Sequence, residues 1–191
     1  MAVAGHTGDL TTARRGLQHS DGAVRATALG ALDRLEALTD GQLTRALGDP
    51  DATVRRRAAE LAARHHGVDL LPVLGDDDPS VVEAAAWACG EREAVPDAVL
   101  AALVDLATGA NAPLVRESAV AALGALGDER GLDAILAGTT DKPAIRRRAV
   151  LALAPFVGPD HTRADEVAAA LQRALTDRDW QVRQAAEDVM P

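Results

Sequence analysis

The chain has 191 residues, of which 48% are hydrophobic and 26% are charged, a balance typical of folded globular proteins that excludes a disordered chain. Its single cysteine excludes an intrachain disulfide. The formal net charge of -9 lowers the affinity expected for nucleic acid, because neutralising phosphates supplies most of that binding.

The residue types favour helices over strands. Alanine occurs 42 times, whereas aromatic residues make up only 2% of the chain. Strands are enriched in aromatic and β-branched residues, and small side chains let packed helices approach each other closely. The sequence therefore predicts an all-α fold.

A repeat can be followed through six units, each predicted to form a short helix, a tight turn and a second helix. Each second helix starts near one apolar residue, called the anchor here, from which offsets are counted. The anchors are Val24, Val54, Val81, Val115, Ile145 and Val182. In chain order the units span residues 8–36, 38–66, 67–92, 94–126, 128–157 and 160–190, and we expect one domain over 8–190.

Two residue columns recur at fixed offsets in the second helices. Offset 4 is alanine in every unit: Ala28, Ala58, Ala85, Ala119, Ala149 and Ala186. Offset 1 is arginine in all units but the third, which has Val82: Arg25, Arg55, Arg116, Arg146 and Arg183. Offsets 0, 4, 7, 8 and 11 share one face at about 100° per residue and are mostly apolar, so they predict the core.

The turns between the paired helices carry residues that begin a helix. Aspartates such as Asp49, Asp51, Asp177 and Asp179 precede the anchors, where they can cap the second helix. Three prolines fall two residues before an anchor, where the first helical turn tolerates them: Pro79, Pro113 and Pro143.

The pattern Asp-x-x-Val-Arg-x-x-Ala, seen at Asp21 to Gly30 and at Asp51 to Ala62, resembles HEAT repeats. More narrowly, it is similar to the short bacterial HEAT-like repeats first named after bilin lyases. The resemblance covers nearly the whole chain and implies a curved right-handed α-solenoid of about six helix pairs, with the second helices on the inner face. It implies no single activity, since members of the family serve many purposes.

The arginine column permits two interpretations. It could bind anions, or each arginine could pair with a turn aspartate of its own or the adjacent unit and so join the repeats. We favour the second. The triple-arginine runs at 55–57 and 146–148 could bind phosphate or an acidic peptide. The simpler interpretation is that each run contains one arginine of the column and two arginines that face solvent.

No residue pattern predicts a metal centre, a cofactor or a catalytic group. The histidines lack the spacing that places two ligands on one helix face, and we expect His65 to fill offset 11 of the core. The iron-dependent hydroxylases that resemble this fold carry repeated His-Glu dipeptides, which are missing here. Cys89 stands at offset 8 and is expected to be buried and inert.

A candidate partner-binding surface lies at offset 6, which points away from the core at about 240° on the second helix. Consecutive units place Trp87, Ala121 and Leu151 there, and we expect them to form an apolar strip on the concave side. Offset 2 would flank the strip with charged side chains: Glu83, Glu117 and Arg147. The alternative is that Trp87 folds down over a packing defect.

The sequence thus favours a non-catalytic scaffold that binds a protein or peptide, without cofactor or metal. Two alternatives stay open: a HEAT-like DNA glycosylase or other DNA-binding protein, and a bilin lyase-like protein. Nucleic acid is the less favoured partner because of the acidic charge. No stretch reaches the roughly 18 apolar residues of a membrane span, and no basic leader precedes the repeats, so a cytoplasmic protein is expected.

Overall fold

The computed structural model describes residues 9–159 and 161–190, and within these ranges it contains helices and no strands. The predicted all-α class and the six helix pairs are therefore confirmed. The α-helices are α1 (Leu10–Gly16), α2 (Gly22–Arg34), α3 (Asp40–Ala46), α4 (Ala52–Ala62), α5 (Leu71–Leu74), α6 (Pro79–Gly90), α7 (Asp97–Gly109), α8 (Pro113–Leu126), α9 (Leu132–Gly138), α10 (Pro143–Ala152), α11 (Ala164–Ala174) and α12 (Trp180–Val189). Short 3₁₀ turns follow α8 and α10, at Glu129–Gly131 and Ala154–Phe156.

The chain divides into two compact units, residues 1–88 and 89–191, which are called the first and the second unit from here on. The six repeats are called helix pairs. The single domain expected over 8–190 stays a prediction. The expected starts of the first and last repeats, residues 8 and 160, lie outside the described residues. Among the described residues, no helix combines the length and the hydropathy that crossing a membrane requires.

In the first unit, capping side chains start the helices. The side chain of Asp21 accepts a hydrogen bond from the Ala23 N–H, and that of Asp51 accepts one from the Thr53 N–H. Each bond satisfies one of the N–H groups that have no partner at a helix start. Thr39 and Gln42 form a reciprocal capping box at the start of α3. Local residue chemistry therefore places the start of these helices.

In the second unit, proline starts two of the second helices. α8 begins at Pro113 and α10 at Pro143, as the spacing predicted. Proline lacks an N–H, which costs nothing in the first turn because that group has no helical partner there. α8 ends at Leu126 and is followed by Gly127, whose φ of 62° lies in the left-handed region that favours glycine.

The alanine column is confirmed as the centre of the packing. All six of its side chains are fully buried, three in each unit: Ala28, Ala58, Ala85, Ala119, Ala149 and Ala186. Within each unit the second helices of successive pairs pack against each other, α2 with α4 and α8 with α10. The small alanine side chain allows this close approach.

Three expected core positions differ from the periodic pattern. Val24, the first anchor, is only half-buried. α4 ends at Ala62, so His65 lies beyond the helix and cannot occupy offset 11; it is half-buried, with Nδ1 2.7 Å from the Asp40 carboxylate. α12 ends at Val189, which leaves Met190 at offset 8 in extended backbone. In the last two cases the helix ends before the offset is reached.

Candidate partner-binding surface

The arginine column forms a ladder of internal ion pairs. In four of the helix pairs, the arginine at offset 1 reaches an aspartate in the turn of the next pair. Its Nε and one terminal nitrogen each donate to a different carboxylate oxygen, at 2.6–3.0 Å. The pairs are Arg25–Asp49 and Arg55–Asp76 in the first unit, and Arg116–Asp141 and Arg146–Asp177 in the second.

The remaining terminal nitrogen of each ladder arginine binds the turn of its own helix pair. Nη1 of Arg146 donates to the Asp141 carbonyl at 2.9 Å, and Nη1 of Arg116 donates to the Ala110 carbonyl at 2.6 Å. Arg183 makes the corresponding bond to the Asp177 carbonyl at 2.7 Å. A single guanidinium therefore fixes its own turn and the following one, a geometry that the five donors of arginine permit.

The ladder contacts also shift the protonation of the paired groups. Hydrogen bonds from Arg146 lower the pKa of Asp177 below its ordinary value of 3.8, and those from Arg55 do the same to the pKa of Asp76. The carboxylates in turn raise the pKa of the arginines. Both groups stay ionised in the folded protein because each stabilises the charged form of the other.

These contacts decide between the two interpretations of the arginine column. The expected pairing between adjacent repeats is confirmed for Asp49 and Asp177, whereas Asp51 and Asp179 cap helices instead. In four of the five arginines, the guanidinium forks that could have bound external anions are already occupied by carboxylates. The column is thus part of the packing between repeats.

Trp87 lies on α6 in the first unit, and its side chain is 45% exposed. The residues on either side of it, Ala86 and Ala88, are fully buried. Glu83 precedes it by one helical turn and is half-buried. The indole therefore faces solvent, as offset 6 predicted, and does not fold down into the core.

The other expected site residues lie in the second unit, on the packed helices α8 and α10. Ala121 and Leu151 are half-buried, so they are less exposed than an open solvent face predicts. The Glu117 carboxylate lies 3.9 Å from the guanidinium of Arg148, and Arg147 is exposed. The packing of α8 against α10 thus places Glu117 near Arg148 in the second unit, while Trp87 and Glu83 belong to the first.

Several exposed apolar side chains escaped the sequence analysis. Trp180 is 64% exposed at the start of α12, and Leu114 is 56% exposed at the start of α8. Trp180 stands two residues before its anchor, where three other repeats have proline. The replacement of proline by tryptophan is visible when the six repeats are aligned, and it could have identified Trp180.

Cys89 is fully buried, as predicted. Within residues 9–159 and 161–190, no group of three or more His, Cys, Asp or Glu side chains is arranged to hold a metal ion.

Comparisons with known proteins agree with this architecture. The family model described as HEAT repeats matches residues 41–124 and 67–154, which together span more than half of the chain. A search of curated protein sequences gave no significant match.

Solved structures with a similar fold include two designed armadillo repeat proteins. One, in complex with the peptide (KR)4, is 17% identical with a TM-score of 0.70, over 95% of this chain and 98% of that one. The other, computationally designed for modular peptide recognition, is 18% identical with a TM-score of 0.65, over 95% and 100% of the two chains.

Human deoxyhypusine hydroxylase in complex with glycerol is 19% identical, with a TM-score of 0.50, over 99% of this chain and 78% of that one. At these identities the likenesses establish a shared helical-repeat fold and nothing more. With the sequence match over more than half its length, the chain belongs to the HEAT-repeat family.

Proposed function

We propose that this protein is a non-catalytic scaffold that binds a partner protein or peptide, with Trp87 as its main anchor in the first unit. The observation that carries the proposal is the exposure of this indole, whose neighbours Ala86 and Ala88 are buried. Large aromatic side chains are enriched among the residues that dominate binding energy at interfaces. Glu83, one turn away, supplies a charged rim.

In the second unit, Leu151 is the corresponding anchor, beside Ala121 on the packed helix. Both are half-buried, so a partner would complete the burial of a small apolar surface. The exposed Arg147 would select acidic side chains next to the segment that binds, and Glu117 would lie at the edge of the same surface.

The comparisons support a binding role. Two structures with this fold are designed armadillo proteins, one solved with a peptide and one made for peptide recognition. The DNA-binding alternative gains no support from the arginine ladder, because four of its guanidinium groups are bound to carboxylates within the protein. A phosphate backbone would have to compete with those pairs.

The test starts with affinity purification from the native cell and mass spectrometry, followed by measured affinities for the partner identified. Trp87→Ala should weaken binding by about 2 kcal/mol, roughly thirtyfold, with little change in melting temperature. Trp180→Ala is the matched control, because it removes an equally large and even more exposed indole from a different helix. Its affinity should stay within about twofold of the wild type.

Two outcomes would count against the proposal. If Trp87→Ala binds the partner as tightly as the wild type, Trp87 is not an anchor. If the affinity is unchanged but the melting temperature falls strongly, the indole contributes to stability and not to binding. Fluorescence gives an independent readout, since Trp87 and Trp180 are the only two tryptophans. In a Trp180→Phe background, the Trp87 emission should shift to shorter wavelength when the partner covers it.

A further inference from the structure

The first unit contains a groove between α2 and α4 that the repeat pattern does not predict. It is open to solvent and has a volume of about 390 Å³, at the lower end of the size range of ligand-binding clefts. Arginine side chains from both helices line it, so its charge depends on the packing of α2 against α4. Its lining includes Thr27, Gly30 and Arg34 of α2 and Arg56, Arg57 and Glu60 of α4.

Gly30 allows Arg57 of the facing helix to approach α2 closely. A Cβ atom added at Gly30 would lie 2.8 Å from a terminal nitrogen of Arg57, closer than such atoms normally approach. Without a side chain at this position, the Arg57 guanidinium can lie directly against the backbone of α2. Alanine, the commonest residue of the chain, would displace that guanidinium.

The groove is cationic in a protein of net charge -9. The Glu60 carboxylate forms ion pairs with two arginines of its own helix, at 2.9 Å from Arg57 and 3.1 Å from Arg56. One carboxylate thus holds two guanidinium groups side by side, and Arg34 adds a third from the facing helix. Three arginines against one glutamate leave the groove with a formal charge of +2.

The arginines keep donors available for a ligand. The side chains of Arg56 and Arg57 are 51% and 37% exposed, and Arg34 is exposed at the end of α2. Each guanidinium has five N–H donors arranged in forks that fit carboxylates. The ladder shows that this chain uses the same fork to bind aspartate, at 2.7–2.8 Å in Arg55–Asp76.

The corresponding face in the second unit differs in charge. There Glu117 takes the place of Ala26 and lies 3.9 Å from Arg148, while Leu151 replaces Glu60. Ala125 stands where the first unit has Arg34. Arg147 and Arg148 stand at the offsets of Arg56 and Arg57, so the α2–α4 groove differs from this face by its third arginine and by the position of its carboxylate.

We propose that the groove between α2 and α4 binds an acidic peptide segment, with Arg34, Arg56 and Arg57 pairing with its Asp or Glu side chains. The proposal rests on the proposed function, because it specifies the chemistry of a partner that the scaffold holds. A carboxylate-rich peptide matches both the sign of the groove and the fork geometry of its donors.

The test measures the fluorescence anisotropy of a labelled polyglutamate peptide of about eight residues at low ionic strength, where charge pairing is least screened. Wild-type protein should bind it, and the Arg56→Ala/Arg57→Ala double variant should bind at least about tenfold more weakly. Arg45→Ala is the control, since Arg45 is exposed in the same unit on α3, outside the groove. It should change the affinity less than about twofold.

A second variant leaves every charge in place. Arg56→Lys/Arg57→Lys keeps both positive charges but removes the forked donors, so the protein should fold and still lose affinity for the peptide. No binding by the wild-type protein, equal losses in Arg45→Ala and the Arg56→Ala/Arg57→Ala variant, or an unchanged affinity in Arg56→Lys/Arg57→Lys would each overturn the proposal. Tighter binding of a charge-matched oligothymidylate would overturn it in favour of nucleic acid.

The outcome is separable from that of the proposed function. Trp87→Ala should bind polyglutamate as the wild type does, because the indole does not line the groove. If Trp87→Ala loses the cellular partner but the wild-type protein does not bind polyglutamate, the groove proposal alone is rejected. If the wild-type protein binds polyglutamate but Trp87→Ala keeps its affinity for the cellular partner, the Trp87 anchor alone is rejected.

Discussion

Replacing Gly124 of α8 with alanine should destabilise the protein, although alanine is the better helix former. A Cβ atom at this position would lie 2.6 Å from Cα of Ala152 and 3.2 Å from its carbonyl oxygen on α10. Nonbonded carbon atoms normally lie about 3.5–4.0 Å apart, so α10 would have to move by about 1 Å. The atoms in the way are the Cβ, Cα and carbonyl oxygen of Ala152, and none of them can rotate aside as the end of a long side chain can.

Two opposing effects set the magnitude. The helix propensity of alanine over glycine favours the variant by about 1 kcal/mol. Overpacking a close helix contact costs about 1–3 kcal/mol, and a backbone clash belongs at the upper end of that range. The free energy of unfolding should therefore fall by about 2 kcal/mol.

The control substitution is Gly109→Ala in the same unit. Gly109 is the last residue of α7, is exposed, and has no atom within 4 Å of the added Cβ position. The same chemical change should leave the stability unchanged or raise it by about 0.4–1 kcal/mol. Equilibrium urea unfolding followed by circular dichroism measures both variants, and the shift in midpoint at constant slope gives the sign.

The reasoning is refuted if Gly124→Ala unfolds at the same urea concentration as the wild type or at a higher one. It is also refuted if both glycine variants lose the same stability, because the loss would then not come from contact with Ala152. Adding Ala152→Gly to Gly124→Ala should restore part of the stability, since it removes the nearest methyl group but leaves the backbone contacts.

Four further predictions concern the core, the ladder and metals. Ala119→Leu should lower the free energy of unfolding by about 1–3 kcal/mol, because Ala119 is fully buried; an unchanged melting temperature would mean that the column is not a close-packing seam. Asp177→Asn should lower the free energy of unfolding by about 1–2 kcal/mol at neutral pH, because it weakens both hydrogen bonds from Arg146. The difference from the wild type should become smaller in acid, where Asp177 is protonated. Because the folded-state pKa values of the ladder aspartates are lowered, their stabilisation is complete above about pH 5 and is lost as the pH falls through 3.8 and then through the lower folded values. Thermal melts between about pH 7 and pH 3 should show this decline, and stability that stays constant would contradict the ladder. Finally, elemental analysis of purified protein should find no stoichiometric metal, and chelation should leave the melting temperature unchanged, whereas about one zinc or iron per chain would refute this.

The periodic part of the fold was predictable because residues that recur at regular spacing in the sequence lie on the same face of an α-helix. Offset 4 placed six alanines on the inner side of their helices, and each is fully buried. Trp87 was placed on the opposite side by the same geometry and is exposed. The prediction failed for His65 and Met190, because a fixed offset has meaning only while the helix continues.

Contacts across helices were harder to predict. The sequence showed that Arg146 needed a carboxylate, but not whether Asp177 or Asp179 would supply it; only the folded turn shows that Asp179 caps the helix. The α2–α4 groove was missed for a similar reason. Arg34 and Arg57 lie 23 positions apart in the sequence, and only the packing of the two helices brings them to the same groove.

The ladder also bears on how this chain can change in length. Its pairs have nearly the same geometry although their residues are separated by 24, 21, 25 and 31 positions. The arginine requires an aspartate in the next turn, whatever number of residues the intervening helix and its loops contain. Within each unit the second helices that these pairs join can thus keep one register while the first helices between them vary, from the four residues of α5 to the 11 of α11. Insertions and deletions should be tolerated in the segments that lead into the first helices, and a library of such length variants should remain folded as long as each arginine retains its aspartate.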